Sequence, residues 1–322
     1  MDLLLLGGTG FLGQRIAQYA LTRGHQLTLF HRRSTEAVPQ AEHILGDREA
    51  GLDLLADRRW DAVVDVWAND PLLVGAAART LAPLTGLYAF ISSISVFADE
   101  SRAGNNERSP VRGAPDPALP DGENYGARKA ESERLVMDAT DGGALVVRPG
   151  LICGPGDPTD RFTYWPVRMA RGGVVLAPGD GSNPAQLVDV RDLAEWVVRM
   201  LEDRGAGTYC ATGPAEPLTL GDMIRRVRDA VGSDAELRWV PQDFLLGRGV
   251  EPWTELPVWI PTGTESSGML GTDCGKAIAA GLTFRPIEAT ARDTLEWHRA
   301  RPHGERRWLS EERERDLLAE AR

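Results

Sequence analysis

Ser93, Tyr125 and Lys129 are residue types that together can move a proton to or from a carbonyl oxygen. Tyr125 and Lys129 stand at i and i+4, so a helix sets both on one face. Reducing a carbonyl needs a hydride donor and a proton donor. A phenol is a poor acid–base group near neutrality, with a reference pKa of about 10. A lysine one turn away, together with the positive charge of an oxidised nicotinamide, favours the phenolate and lowers that value. A serine hydroxyl beside them hydrogen-bonds the substrate oxygen as its charge changes. Tyr-x-x-x-Lys alone is often only a surface helix pair. Here a Ser-rich strand end, Ser92-Ser93-Ile94-Ser95, precedes it.

Such a triad needs a hydride carrier, and the elements that position one open the chain. Residues 2–13 read Asp-Leu-Leu-Leu-Leu-Gly-Gly-Thr-Gly-Phe-Leu-Gly. Leu3–Leu6 is the apolar run of a strand buried on both faces. Gly7, Gly10 and Gly13 follow at G-x-x-G-x-x-G spacing, and a helical pattern begins at once with Phe11, Leu12 and Ile16. Gly7 permits the tight turn, Gly10 lets a pyrophosphate approach the backbone, and Gly13 lets the helix pack on the sheet. The helix N-terminus, around Thr9, Phe11 and Leu12, offers unpaired N–H groups to the phosphates.

Gln26–Phe30 reads as the second parallel strand. Its end carries His31, Arg32 and Arg33, with no carboxylate until Glu36. A carboxylate there suits the ribose hydroxyls of NAD(H), whereas guanidinium groups suit a 2′-phosphate. The expected cofactor is therefore NADP(H), with NAD(H) as the alternative. Ala41–Leu45 is expected as a third strand, ending near Asp47, which either accepts from an adenine amino group or caps the next helix. Asp61–Trp67 is expected as a fourth strand, placing Trp67, Ala68 and Asn69 at the ligand-holding edge of the sheet. A helix over Leu72–Leu81 and a strand over Tyr88–Ser92 follow. Residues 98–123 are polar and rich in Pro and Gly, an excursion that returns the chain to the site. The helix opened by Tyr125 and a strand over Ala144–Arg148, closed by Pro149-Gly150, complete the pattern. Further on, Gln186–Val190 reads as a strand, Arg191–Leu201 as a helix, Gly207–Ala211 as a strand and Leu218–Val231 as an amphipathic helix. Ser310 is placed to cap a charged C-terminal helix.

At 322 residues and 42% hydrophobic content the chain supports one large domain or two intimate ones. Its three widely spaced Cys fit neither a disulfide framework nor a metal cluster and suit a cytoplasmic protein, and its five His include no metal-like pair. The apolar runs are too short for a bilayer span or a signal segment. A net charge of −11 argues against nucleic-acid or anionic-membrane partners and leaves a small-molecule substrate. Arg161, Tyr164, Trp165, Trp253 and Trp259 are candidates to hold it, the arginine through an acidic group and the aromatics through a flat or apolar body. For each of these five, a solvated arginine or ordinary core packing is the competing assignment.

The chain resembles the extended short-chain dehydrogenase/reductase superfamily, in its NAD-dependent epimerase/dehydratase group. Gly7–Gly13 matches the cofactor loop, Ile91–Phe97 the serine-bearing strand, and Tyr125–Lys129 the Tyr-x-x-x-Lys motif. The nearest likeness is to bacterial isoflavone-reductase-like or epimerase-like proteins. The resemblance implies an α/β fold, a Rossmann-type doubly wound parallel sheet over residues 1–150 with returns near 186–212. A smaller substrate lobe would span 151–185 and 213–305, and a C-terminal helix 306–322. It makes Ser93 the catalytic serine, gives Lys129 the nicotinamide ribose and sets Asp47 and Arg48 near the adenine. It puts Trp67 and Ala68 near the middle of the cofactor, and the segment from Arg148 through Pro149 and Gly150 to Asp157 over the nicotinamide. A homodimer through the Tyr125 helix follows by the same analogy. One departure stands out: Leu151 occupies the place where nucleotide-sugar epimerases carry an Asn for the substrate diphosphate. The expected activity is NADP(H)-dependent hydride transfer between nicotinamide and a carbonyl or alcohol carbon. An epimerase or dehydratase with transient hydride transfer is the enzymatic alternative, and a cofactor-sensing or RNA-associated protein the non-enzymatic one.

Overall fold

The computed structural model describes residues 1–32, 38–66, 70–302 and 306–321. Its centre is a parallel sheet built from β1 (Asp2–Leu6), β2 (Gln26–His31), β3 (Glu42–Leu45), β4 (Ala62–Asp65), β5 (Tyr88–Ile91), β6 (Leu145–Pro149) and a late strand, Gly207–Ala211. The order across the seven strands runs from that late strand through β6, β5, β4, β1 and β2 to β3. Helices α1 (Phe11–Thr22), α2 (Pro71–Leu81) and α3 (Tyr125–Ala139) connect the early strands. This is a Rossmann-type doubly wound sheet, with the reversal of strand order between β1 and β4.

The first strand shows why the leucine run was needed. Leu3 and Leu5 enter one core, and Leu4 and Leu6 enter the core on the opposite face. All four are fully buried, as a central parallel strand covered on both sides requires. After β6 the chain forms β7 (Leu151–Cys153), α4 (Tyr164–Ala170), β8 (Val174–Pro178), β9 (Leu187–Asp189) and α5 (Val190–Glu202). Helix α5 packs on α1, closing the first face, while α2 and α3 pack together on the second. The late strand is β10; beyond it come α6 (Leu220–Ala230), β11 (Glu236–Val240), α7 (Gln242–Gly247), α8 (Gly275–Ala279), α9 (Ile287–Arg299) and α10 (Glu311–Glu320). Two small parallel pairs, β7 with β9 and β8 with β11, stand outside the main sheet.

A separate hydrophobic core gathers α4, β8, α6 and the segment around Trp259. Here the structure corrects three expected substrate contacts. Tyr164, Trp165 and Trp259 are fully buried members of this core rather than pocket walls. Trp165 donates its indole N–H to the Pro257 carbonyl at 2.8 Å, which fixes it there. The core is closed by α10: Glu314, 4% exposed, accepts from the Leu176 N–H and from Arg168. Ser310 caps this helix through the Arg313 N–H, as its position suggested.

Candidate active site

The parallel register brings the ends of β1, β4, β5 and β6 to one edge, with Leu6 opposite Asp65 and Ile91 opposite Val147. The glycine turn leaves this edge. Gly7 and Gly8 have φ of +108° and +79°, which an L side chain rarely adopts. A Cβ on Gly13 would stand 2.7 Å from the Gly8 Cα, so the helix packs directly on the turn. A Cβ on Gly10 would meet nothing within 4 Å, so open space lies beside the start of α1. Gly10 makes no side-chain cap, and the first turn of α1 holds no acidic residue. That combination fits a dinucleotide's pyrophosphate against the uncapped N–H groups of Phe11, Leu12 and Gly13. The loop after β7 folds onto the same place. Arg15 donates to the Pro155 carbonyl at 3.0 Å, and Gly156 lies against the Phe11 ring.

The residues assigned to the adenine end separate. His31 is buried, with its Nε2 2.8 Å from Nδ1 of His43 on the adjacent strand, so its ring is engaged within the sheet edge. Arg32 is exposed just beyond β2, and Arg33 lies outside the described residues. Asp47 is exposed and accepts from the Glu49 N–H in a tight turn, so it caps no helix. Arg48 departs furthest from expectation. It is buried and holds Asp65 through two hydrogen bonds of 2.8 and 2.7 Å, with a third bond of 3.1 Å to the Leu6 carbonyl. Tyr88 donates to the same carboxylate at 2.9 Å. Arg48 therefore ties the ends of β1 and β4 together instead of reaching for an adenine. Trp67, Ala68 and Asn69 lie outside the described residues.

Ser93 follows β5 directly, and Tyr125 and Lys129 lie on α3, which packs against the turn after it. Ser92 and Ser93 leave β5 in opposite senses. Ser92 is buried and donates to Glu133, which in turn holds Arg148 through bonds of 2.9 and 2.6 Å. Ser93 accepts from the Ser95 N–H at 3.1 Å and lies within hydrogen-bonding reach of the Tyr125 hydroxyl. Helix α3 begins at Tyr125 because Asn124 anchors the preceding excursion. Its side chain bonds the Asp116 N–H and the Asp116 and Leu119 carbonyls. Arg112 then ties that excursion back to the Ser95 carbonyl at 3.0 Å.

Burial pushes the Tyr125 phenol above its ordinary range, while the Ser93 hydrogen bond and the Arg161 charge pull it back. Lys129 plays a different part from the one its spacing suggested. It is 2% exposed and donates to the Ile91 carbonyl, with its ammonium 5.0 Å from the Phe90 ring centroid. Burial lowers its pKa to about 8, against the opposing pull of Asp65 and Glu133. Lys129 thus sits beneath Tyr125, over the end of β5.

One residue essential to this geometry had no role in the sequence reading. A Cβ on Gly126 would stand 2.1 Å from the Ser95 carbonyl oxygen. Glycine alone lets α3 dock against the turn that carries Ser93. Gly126→Ala is expected to displace the helix start and cost about 10²-fold in kcat/KM, the usual penalty for a misplacement near 1 Å. A steady-state assay beside a circular-dichroism check of folding reads this directly; unchanged turnover would show that the docking tolerates a methyl group.

Trp253 and Arg161 remain from the substrate candidates. Trp253 is half-buried, and the Arg161 guanidinium lies 5.2 Å from its ring centroid. Pro149 is buried at the end of β6, and Gly150 packs against Thr212, where a Cβ would clash with its hydroxyl. Among the described residues no group of three His, Cys, Asp or Glu is placed to hold a metal ion, and no helix is long and apolar enough to cross a membrane.

Comparison with known proteins agrees with this architecture. The model of the NAD dependent epimerase/dehydratase family matches residues 3–79 and 71–209. A 2-alkyl-3-oxoalkanoate reductase from Stenotrophomonas maltophilia strain K279a is 28% identical over 256 residues, covering 72% of this chain and 76% of that protein. The epimerase family protein SDR39U1 of Bos taurus is 25% identical, covering 73% and 82%. Among solved structures, UDP-glucuronic acid 4-epimerase from Bacillus cereus in complex with NAD superposes with a TM-score of 0.67 at 16% identity, covering 93% of this chain and 99% of that one. The chain belongs to the NAD dependent epimerase/dehydratase family and is an NAD(P)-dependent enzyme of the extended short-chain dehydrogenase/reductase type.

Proposed function

We propose that this enzyme is an NADP(H)-dependent reductase of a small-molecule carbonyl. The observation that carries the reading is the docking of the start of α3, which bears Tyr125, against the turn after β5 that bears Ser93. A bound nicotinamide supplies the hydride that reaches the carbonyl carbon. Ser93 donates to the carbonyl oxygen as negative charge gathers there. Tyr125 gives that oxygen its proton, and the product is an alcohol. Its phenol, held above the ordinary range by burial, is the protonated form near neutrality, which suits reduction. Lys129, which here donates to the Ile91 carbonyl, would turn to the ribose hydroxyls of a bound cofactor. The curated relative named as a 2-alkyl-3-oxoalkanoate reductase supports a reductase over an enzyme that returns its cofactor unchanged.

The preference for NADP(H) rests on Arg32 and Arg33 and on the absence of a carboxylate at the end of β2. Titrating NADPH and NADH against the fluorescence of the nine Trp is expected to show NADPH binding at least about tenfold tighter. The double substitution Arg32→Ala, Arg33→Ala is expected to abolish that margin and leave NADH affinity as it was. NADH binding equally well to the unaltered enzyme would return both arginines to the solvent and favour an epimerase. Net NADPH oxidation with substrate separates a reductase from an epimerase or dehydratase.

A further inference from the structure

We infer that Arg161 is a carboxylate-recognising residue and that the substrate is a carbonyl compound bearing one carboxylate, held by Arg161 against Trp253. This rests on the reading of Tyr125 as the proton donor at the same site.

Arg161 is half-buried, and three more deeply buried arginines each grip a carboxylate: Arg48 holds Asp65, Arg148 holds Glu133 and Arg168 holds Glu314. A buried guanidinium without a counter-charge is costly, so such pairing is the rule. Among the described residues the Arg161 side chain takes no hydrogen bond and no ion pair; its one contact of this kind is the Trp253 face. The carboxylate of its own loop, Asp157, acts on Arg161 through its charge but forms no ion pair with it. Asp157 Oδ1 accepts from the Thr159 N–H and hydroxyl, both at 2.8 Å, while burial pushes its carboxyl up.

The loop is built to keep it so. Asp160 has φ of +53°, an unfavourable geometry for a residue with a Cβ. It is held there by its carboxylate, which is 2.7 Å from Arg306 and 3.4 Å from Arg301. Phe162, on the other side, is fully buried. Arg161 is thus fixed between two anchored neighbours, close enough to Tyr125 for its charge to act on the phenol. A group that binds this guanidinium lies within electrostatic reach of the Tyr125 phenol.

The chemistry of the missing partner follows. A guanidinium stacked on an indole presents its N–H fork edgewise, which matches one planar carboxylate in a bidentate pair. A diphosphate asks for more than one cation.

The test uses the full-length enzyme saturated with NADP⁺ and a pair of ligands that differ only in charge, 3-hydroxyoctanoate and its methyl ester, titrated calorimetrically. The acid is expected to bind about 10- to 100-fold tighter than the ester, the worth of a hydrogen bond to a charged group. Arg161→Met is expected to weaken the acid alone and erase that ratio. Arg161→Lys, which keeps a charge without the fork, is expected to restore part of it, and Arg161→Gln serves as the neutral control if the Met variant fails to fold. Equal affinities for acid and ester, an equal loss of both in the variants, or binding of neither would overturn the inference. Turnover of 3-oxooctanoate and its methyl ester with NADPH is read on the same preparations. Arg161-dependent binding of the acid without NADPH oxidation leaves the carboxylate site standing and removes the reductase reading. Reduction of the ester without any preference for the acid does the reverse.

Discussion

Tyr125→Phe is expected to slow carbonyl reduction by about 10²- to 10⁴-fold, the contribution of a positioned proton donor. Stability and NADPH affinity are expected to hold, because Tyr125 is 41% exposed and the substitution removes a hydroxyl able to make one hydrogen bond, to Ser93. The loss of one such bond costs about 1 kcal/mol. The direction of the reaction supplies a second readout. Burial raises the phenol and Arg161 lowers it, so the proton is present through the neutral range and reduction persists there. Alcohol oxidation needs the phenolate instead, so its rate climbs with pH toward the phenol's raised pKa. Rates within about threefold of the unaltered enzyme in both directions would remove Tyr125 from the chemistry.

The second large effect falls on stability. Arg48→Met is expected to destabilise the fold by about 3–5 kcal/mol, because it leaves a fully buried carboxylate without its cation. Asp65 would keep the Tyr88 hydroxyl, which is a weaker partner for a charge. The same change acts on the site from below. Arg48 is among the groups that lower Lys129, and Asp65 among those that raise it, so losing Arg48 moves the lysine upward from about 8. Urea unfolding of the two proteins measures the first effect. A midpoint shift worth less than about 1 kcal/mol would show that Asp65 finds another partner.

The sheet was legible because its signals are local. Leu3–Leu6 alternates between two cores, the glycines follow at fixed spacing, and each later strand is a short apolar run before a helix. Tyr125 and Lys129 were legible for the same reason, being one turn apart on α3. What the sequence hid is set by partners distant along the chain. Arg48 looks like a cofactor ligand until Asp65 is seen beside it, and Gly126 looks like filler until the Ser95 carbonyl is placed against it. Aromatic residues fill cores and line pockets alike, so Trp165 and Trp259 were open to either assignment until their burial was known. Helix α9 escaped because Thr290, Thr294 and His298 share its buried face with Ile287, Ala291 and Leu295, which blurs the apolar period. Strands β8 and β11 pair only with each other and carry little of the pattern of a larger sheet.

The chain divides its labour at Gly150. Ser93 hangs on the end of β5, and Tyr125 and Lys129 hang on α3, all braced by the seven-stranded sheet. Arg161 and Trp253 arise after it, from a loop between β7 and α4 and from the segment beyond α7. A descendant can therefore rewrite its diet without relearning its chemistry. On the proposed roles, changes confined to the anchored loop would alter what is grasped, while the proton path on the other half of the chain would pass through the transition intact.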